Sequence, residues 1–331
     1  MKALITGAGG FIGSHLVGTL DEEGWEMRGL FLPDEDASRA EEHGVEVFRG
    51  DLTDPGSLTG IADGCDVVFH LATRVSDYGS FRLFRKIMVD GTRNLLEASA
   101  HNAPRFVYVS SIAAHGLGRN IPGADEDAER IPCGVPYSDT KMEAEDLVRE
   151  YCDGAGRSWV IVRPANVTGP GSVWVWDVLD AFYRGPLPVI DGGVHPGAFV
   201  YVTNLVDGMV LAATNEAAHG RIFHFRDDYD ITWGEYAAYL GGLIGKRTKG
   251  NVPFGLAWKL GWVCEMLLSP LGVRPPMTRL AAGVMGRNLD VSNARAKKVL
   301  GWKSRVGLDE ALKHIDAWVR DVYLAEKGKK R

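Results

Sequence analysis

Tyr137 and Lys141 stand four residues apart in Tyr-Ser-Asp-Thr-Lys, a spacing that puts both side chains on one face of a helix. A phenol beside an ammonium can move a proton. Sending hydride to a ketone requires a proton at the oxygen, and oxidising an alcohol requires a base there. A free tyrosine, with a pKa of about 10, is a weak base at neutral pH, but a nearby cation favours its phenolate. Lowering it by about 3 units takes about 4 kcal/mol, within reach of two close cations in a partly desolvated site. Ser111, expected at the carboxyl end of a fifth strand, can donate to or accept from the same substrate oxygen, and the carboxyl ends of strands are where open α/β sheets bind ligands.

A second constellation is Thr6-Gly7-Ala8-Gly9-Gly10-Phe11-Ile12-Gly13, directly after a strand-like run and opening a helix near Phe11. Gly7 permits the tight turn, Gly10 lets the backbone approach a pyrophosphate, and Gly13 lets the helix pack closely on the strand. The free N–H groups at the start of that helix, from Phe11 and Ile12, and the positive end of its dipole would face the phosphates. The cofactor expected is therefore NAD or NADP. Where a ribose hydroxyl or a 2′-phosphate would lie, the second strand ends Leu30-Phe31-Leu32-Pro33 with neither an acid nor an arginine. Asp34, Glu35 and Asp36 follow and would repel an added phosphate, while Arg28 comes too early and Arg39 too late. That favours NAD.

These residues need a scaffold that carries them to one edge. From Met1 to about Pro164, short β-branched runs alternate with helical patterns, as repeated βαβ units with a parallel sheet require. Strands are predicted at 2–6, 27–32, 45–50, 66–71, 105–110 and 159–163, and the clearest helices at Thr92–His101 and Ser138–Cys152. Beyond Pro164, loops rich in Gly and Pro set in, with further strands predicted at 199–203 and 221–225 around a helix at 205–214. The fold class is α/β: a doubly wound parallel-sheet Rossmann domain with a smaller, mostly α-helical C-terminal substrate lobe. The division expected is 1–168 for the dinucleotide, with 198–228 returning to it, and 169–197 with 229–325 for the substrate. Lys327–Arg331 reads as a solvated basic tail.

Composition narrows the classes. With 331 residues, 45% hydrophobic and 24% charged, the chain suits a soluble globular protein of two lobes or one large unit, and not a disordered, collagenous or coiled-coil one. A formal charge of −6 gives no general basic field for nucleic acid. Cys65, Cys133, Cys152 and Cys264 are scattered, without disulfide-framework or zinc-finger spacing, so a reducing compartment and no metal are expected. The glycine cluster breaks the N-terminal apolar run before it could serve as a secretory signal, and no stretch of about 18 apolar residues offers a membrane span. The expected location is cytoplasmic, with one qualification at 252–272. There Phe254, Leu256, Trp258, Leu260, Trp262, Val263, Met266, Leu267 and Leu268 stand among only two formal charges, Lys259 and Glu265.

The chain resembles the extended short-chain dehydrogenases/reductases, the NAD-dependent epimerase/dehydratase superfamily, along nearly its whole length. The landmarks are TGAGGFIG at 6–13, GDLTD at 50–54, HLAT at 70–73, VSSIAAHG at 109–116, YSDTK at 137–141 and RPANVTGPG at 163–171. The resemblance implies that Tyr137 is the general acid/base, that Lys141 holds the nicotinamide ribose and lowers the tyrosine pKa, and that Ser111 polarises the substrate oxygen. It also implies that Asp51 and Leu52 border the adenine, that Leu71 and Ala72 lie along the cofactor, and that Pro164, Asn166 and Val167 flank the nicotinamide. Met88 departs from the pattern, standing where the family usually has Asn. Leu32 replaces the polar residue that commonly sets cofactor preference.

Within the family, VSDYGSFRLF at 75–84, FVYVTNLVDGMVLAA at 199–213 and PPMTRLAAGVMGRNLDVSNARAKKVLGW at 275–302 are similar to the 3β-hydroxysteroid dehydrogenase-like branch. The activity implied interconverts a hydrophobic secondary alcohol and its ketone, of 3β-hydroxysteroid, sterol or 3-oxoalkanoate type. Two alternatives remain open: a nucleotide-sugar epimerase or dehydratase, and a non-catalytic dinucleotide-sensing regulator. A nucleotide diphosphate would call on Arg184, Arg226, Arg274 or Arg279, whereas Trp174 and Trp176 offer an apolar wall or a packing contact. Expected partners are a small hydrophobic substrate, a second copy in a homodimer and, through 252–272, a membrane surface.

Overall fold

The structure is a computed structural model that describes residues 1–74, 76–100 and 105–329. The strands in chain order are β1 (Lys2–Thr6), β2 (Glu26–Phe31), β3 (Glu46–Arg49), β4 (Val67–His70), β5 (Arg105–Val109), β6 (Ser158–Pro164), β7 (Asn166–Thr168), β8 (Val189–Ile190), β9 (Phe199–Tyr201), β10 (Arg221–Phe225) and β11 (Asn251–Val252). Seven of them form one sheet in the order β10-β6-β5-β4-β1-β2-β3, every pairing parallel. The order reverses between β1 and β4, which opens a crevice at their carboxyl ends. Thr6 pairs with His70 and His70 with Tyr108, so β1, β4 and β5 finish nearly level.

Burial on both faces explains the apolar runs. Val67 and Phe69 pack with Ile5, Leu16 and Val107 on one side of the sheet, while Val68 packs with Leu4, Phe106 and Val148 on the other. Such a strand reads as a run without alternation. Each of these side chains, buried fully, stabilises the fold by about 1.5–3 kcal/mol.

The helices are α1 (Phe11–Glu22), α2 (Ser38–Glu42), α3 (Phe81–Arg85), α4 (Gly91–Ala98), α5 (Pro136–Ala155), α6 (Val173–Arg184), α7 (Val202–Thr214), α8 (Trp233–Leu243), α9 (Phe254–Leu268), α10 (Arg279–Met285), α11 (Leu308–Trp318) and α12 (Leu324–Lys329). A π turn at Lys86–Asp90 joins α3 to α4, so the helix expected from Thr92 forms part of a longer run. His101, its expected end, lies outside the described residues, as does Val75. α5 starts at Pro136, whose fixed φ suits a first helical turn. Asp139 in that turn accepts the N–H groups of Cys133 and Gly134, and Gly156 ends the helix in the left-handed conformation.

Beyond Pro164, β10 returns to the edge of the central sheet beside β6, whereas β9 pairs with β7 in a separate two-stranded sheet. The strand expected at 199–203 stops at Tyr201 because α7 begins at Val202. Trp176 stacks on Trp318 and Tyr323 with ring centroids 5.0 and 4.9 Å apart. Trp176 therefore packs against the end of α11 and the turn after it. Trp174 leans on Trp233 at 5.1 Å. The expectation of a solvated tail is also corrected at Lys327, which pairs with Asp180 at 2.8 Å and lies over Tyr323; Lys330 and Arg331 lie outside the described residues. Among the described residues no helix is long and apolar enough to cross a membrane.

Candidate active site

The glycine turn follows β1 directly. Gly7 adopts φ +74°, and a Cβ there would come within 3.1 Å of the Ala72 nitrogen. The turn therefore lies against Leu71 and Ala72. A Cβ at Gly13 would sit 2.0 Å from the Gly7 carbonyl oxygen, so only glycine lets α1 start so close to β1. Gly10 caps α1 through backbone alone, which leaves the first-turn N–H groups of Phe11 and Ile12 to a ligand. These residues fit a dinucleotide pyrophosphate.

His70 joins the ends of β1 and β4. Thr6 Oγ1 accepts the Ala72 N–H at 3.1 Å and lies 2.7 Å from His70 Nδ1, while Thr92 Oγ1 donates to the Met88 carbonyl and lies 2.9 Å from His70 Nε2. Each hydroxyl has one proton, so Thr6 donates to Nδ1 and His70 donates from Nε2 to Thr92. Burial, with Lys141 nearby, pulls the imidazole pKa down to about 3, so His70 stays neutral and works as a fixed strut. The sequence showed His70 only as a landmark; the Thr6 and Thr92 hydroxyls that give it a role come together only in the fold.

At the opposite wall, Ser111 leaves β5 in extended conformation and its Oγ accepts the Ala113 N–H at 3.1 Å. Burial pushes the Tyr137 phenol pKa up, and the nearby Ser111 hydroxyl opposes that push. Lys141 is 2% exposed and its Nζ donates to the Val109 carbonyl at 2.7 Å, with the Tyr108 ring beneath it at 4.9 Å. Burial pulls the Lys141 ammonium down to about 7, and Glu145 one turn along α5 pulls it back up. Ser111, Tyr137 and Lys141 are thus gathered where β5 meets α5.

Behind them lies a network that spacing did not reveal. Glu145 receives Arg163 in two bonds of 2.8 and 2.7 Å, both side chains almost fully buried. Arg163 also reaches the Glu126 carbonyl at 3.0 Å and His115 Nε2 at 3.2 Å, and His115 Nε2 stands 2.9 Å from His224 Nε2. Burial beside Arg163 pulls His115 down to about 4. Arg163 thereby ties together α5, the end of β6 and the turn that follows Ser111. The one sequence signal was an arginine before Pro164 in a strand too apolar to hold it exposed.

The remaining expected residues lie on several different elements. Asp51 accepts the Thr53 N–H at 2.7 Å, and Leu52 is buried with its carbonyl held by Asn94. Pro164 ends β6, Asn166 donates to the Gly197 carbonyl at 2.6 Å, and Val167 lies in β7. Met88 is buried in the π turn with its sulfur 3.4 Å from Thr140 Oγ1. A thioether offers no N–H there. Near the ribose position, Glu35 folds back to accept the Leu32 N–H at 3.0 Å, and its other oxygen is 3.2 Å from where a Gly9 Cβ would lie. Arg28 is spent on Glu46 and on the carbonyls of Gly60 and Ile61.

Glycine turn, level strand ends and buried lysine together define a dinucleotide-dependent oxidoreductase of the doubly wound class. The chain belongs to the NAD dependent epimerase/dehydratase family, whose pattern matches residues 3–225, and it is an NAD(P)-dependent oxidoreductase of the extended short-chain type. It is 30% identical to 4-hydroxy-2-methyl-3-oxo-4-farnesyl-3,4-dihydroquinoline-1-oxide ketoreductase of Stigmatella aurantiaca, over 94% of this chain and 95% of that one. It is likewise 30% identical to a 3 beta-hydroxysteroid dehydrogenase/Delta 5→4-isomerase of Mycobacterium tuberculosis, over 94% of this chain and 88% of that one. Its fold matches the crystal structure of UDP-glucose 4-epimerase from Thermotoga maritima with a TM-score of 0.78 at 21% identity, covering 98% of this chain and 100% of the other.

Proposed function

We propose that the protein interconverts a hydrophobic secondary alcohol and its ketone, of 3β-hydroxysteroid, sterol or 3-oxoalkanoate type, with NAD preferred over NADP. The observation that carries the substrate class is the fate of three of the four arginines that a diphosphate would call on, the fourth, Arg184, lining a groove with Lys246, Arg247 and Lys249. Arg226 is bonded to Asp290 at 2.7 Å and to Asp230, Arg274 to Asp77 at 3.0 Å and Asp177 at 2.6 Å, and Arg279 to Glu265 at 2.7 Å. A nucleotide diphosphate needs such cations free. The two relatives, named for a farnesyl-bearing ketone and a steroid, support the apolar reading.

In this reading residues 1–168 with 198–228 hold the dinucleotide, and 169–197 with 229–325 shape the substrate pocket. Gly7, Gly10, Phe11, Ile12 and Gly13 take the pyrophosphate, Asp51 and Leu52 the adenine, Leu71 and Ala72 the cofactor's length, and Pro164, Asn166 and Val167 the nicotinamide. The nicotinamide, when bound, supplies or takes the hydride. Tyr137 gives a proton to the ketone oxygen, or takes one from the alcohol, at its hydroxyl. Ser111 holds that oxygen, and the Lys141 charge favours the phenolate. The Glu35 carboxylate over the glycine turn disfavours a 2′-phosphate.

The test is the absorbance change of NAD(P)H with 3β-hydroxysterols, sterol 4-carboxylates, 2-alkyl-3-oxo acids and nucleotide sugars in parallel. Turnover is expected with one of the first three. Turnover confined to a nucleotide sugar would replace this reading, and dinucleotide binding without any turnover would favour a sensor.

A further inference from the structure

The inner face of α9 is conventional: Phe254, Ala257 and Gly261 are buried, and the Trp258 ring lies 3.0 Å from where a Cβ of Gly118 would be. Its outer face is not. Leu256, Leu260, Val263 and Leu267 recur at helical spacing on that face, and Leu260 and Leu267 are 46% and 59% exposed. Trp262, 51% exposed, lies further round the helix, and the turn that follows adds Leu271 at 72%. The acid of this helix, Glu265, is spent on Arg279, and Arg274 just beyond is spent on Asp77 and Asp177.

The charge left over has one sign. Lys259 projects from α9, and immediately before the helix Lys246, Arg247 and Lys249 join Arg184 around a groove of about 420 Å³ that no acid lines. The groove adjoins the amino end of α9. The Lys249 N–H bonds the Leu187 carbonyl, β11 pairs with β8, and Ile190 of β8 packs on Phe254 and Ala257. A local basic field on a chain of net charge −6, flanking an apolar helix, is the pattern of a surface-lying helix on anionic lipid.

We propose that the outer face of α9, with the basic groove at its amino end, docks on an anionic phospholipid bilayer. α9 has 15 residues, about 22 Å at 1.5 Å per residue and shorter than the about 30 Å hydrocarbon core, so it lies along the surface. A second copy is the weaker occupant. A two-fold interface uses the same patch on both copies, so Lys246, Arg247, Lys249 and Lys259 of each would meet a patch whose acid, Glu265, is already paired with Arg279. Docking stands apart from the identity of the substrate.

The test is co-sedimentation of the full chain with vesicles of phosphatidylcholine alone and of phosphatidylcholine with phosphatidylglycerol, alongside light scattering for its mass. Binding is expected to the anionic vesicles and to weaken as salt is added. Lys246→Gln and Arg247→Gln should each weaken it about fivefold, and Leu260→Glu with Leu267→Glu should abolish it while the circular dichroism of the fold is retained. Absence of binding to anionic vesicles at low salt would overturn the proposal, as would binding untouched by the leucine variants. A dimer that Leu260→Glu dissociates would also overturn it, assigning the face to a second copy. Turnover of a water-soluble ketone by the leucine variants separates loss of docking from failure of the proposed reaction.

Discussion

Lys141 Nζ donates to the Val109 carbonyl at 2.7 Å, fastening the helix that bears Tyr137 to the strand that ends just before Ser111. The bond fixes the ammonium where water is excluded, and that exclusion is what pulls its pKa to about 7. Position and acidity therefore have one cause.

The first prediction concerns pH. Burial holds the Tyr137 phenol above its ordinary value and pulls the Lys141 ammonium to about 7, so the first proton to leave the two groups goes near 7. Reduction needs both protons in place, and its kcat/KM should fall as pH rises through about 7. Oxidation needs one proton gone, and its kcat/KM should rise over the same range. Profiles running in the same direction would contradict this assignment. Tyr137→Phe should lower kcat by about 10²–10⁴-fold with dinucleotide affinity, measured by fluorescence titration, largely intact.

Lys141 also costs stability. Its folded pKa of about 7 lies below the ordinary value of about 10.4, so between those pH values the unfolded chain binds a proton that the folded chain does not. Stability from this group is lowest below pH 7 and rises by about 1.4 kcal/mol per pH unit through that window. Lys141→Met, without dinucleotide, should therefore melt at a higher temperature than the parent below pH 7, with an advantage that shrinks towards pH 10. A gain independent of pH would refute this account.

Cofactor choice should answer to Glu35. Its carboxylate bonds the Leu32 N–H beside the glycine turn, where the charge would repel a 2′-phosphate. In Glu35→Gln the ratio of kcat/KM for NAD over NADP should narrow about 5- to 10-fold, the scale of removing one charge interaction at partly screened range. An unchanged ratio would show that the discrimination lies elsewhere.

Glu145→Gln leaves the Arg163 guanidinium buried against a neutral amide. Removing one partner of such an ion pair costs about 3–5 kcal/mol, to be read as a lowered midpoint of chemical unfolding. The same change removes the carboxylate that raises Lys141, so the pH at which reduction and oxidation cross should move below 7. A drop in stability with no movement of the crossing would make the pair purely structural.

Local pattern was enough to reveal the strand–turn–helix of residues 2–22, the apolar strands and the Tyr137 to Lys141 spacing, because each depends on residues within about one or two turns of one another. Strand limits shifted by a residue where a distant side chain intervened: β2 ends at Phe31 because the Leu32 N–H turns to Glu35 and its carbonyl to Arg49. Trp174 and Trp176 could not be judged from their neighbours, since the rings that cover them, Trp233, Trp318 and Tyr323, come from far along the chain. The choice among Asp34, Glu35 and Asp36 was likewise made by the fold.

The sequence by itself determined which groups could carry the proposed chemistry, since Ser111, Tyr137, Lys141 and the glycine turn are recognised by residue type and short spacing. Only the tertiary structure decided the surroundings that tune that chemistry. Arg163 meets Glu145 across 18 residues and Arg274 meets Asp77 across 197, and a charge's effect depends on which partner and how much water surround it. A list of arginines cannot say which are spent. Distances in space, set by the packing of β6 on α5 and of the second lobe on the first, can.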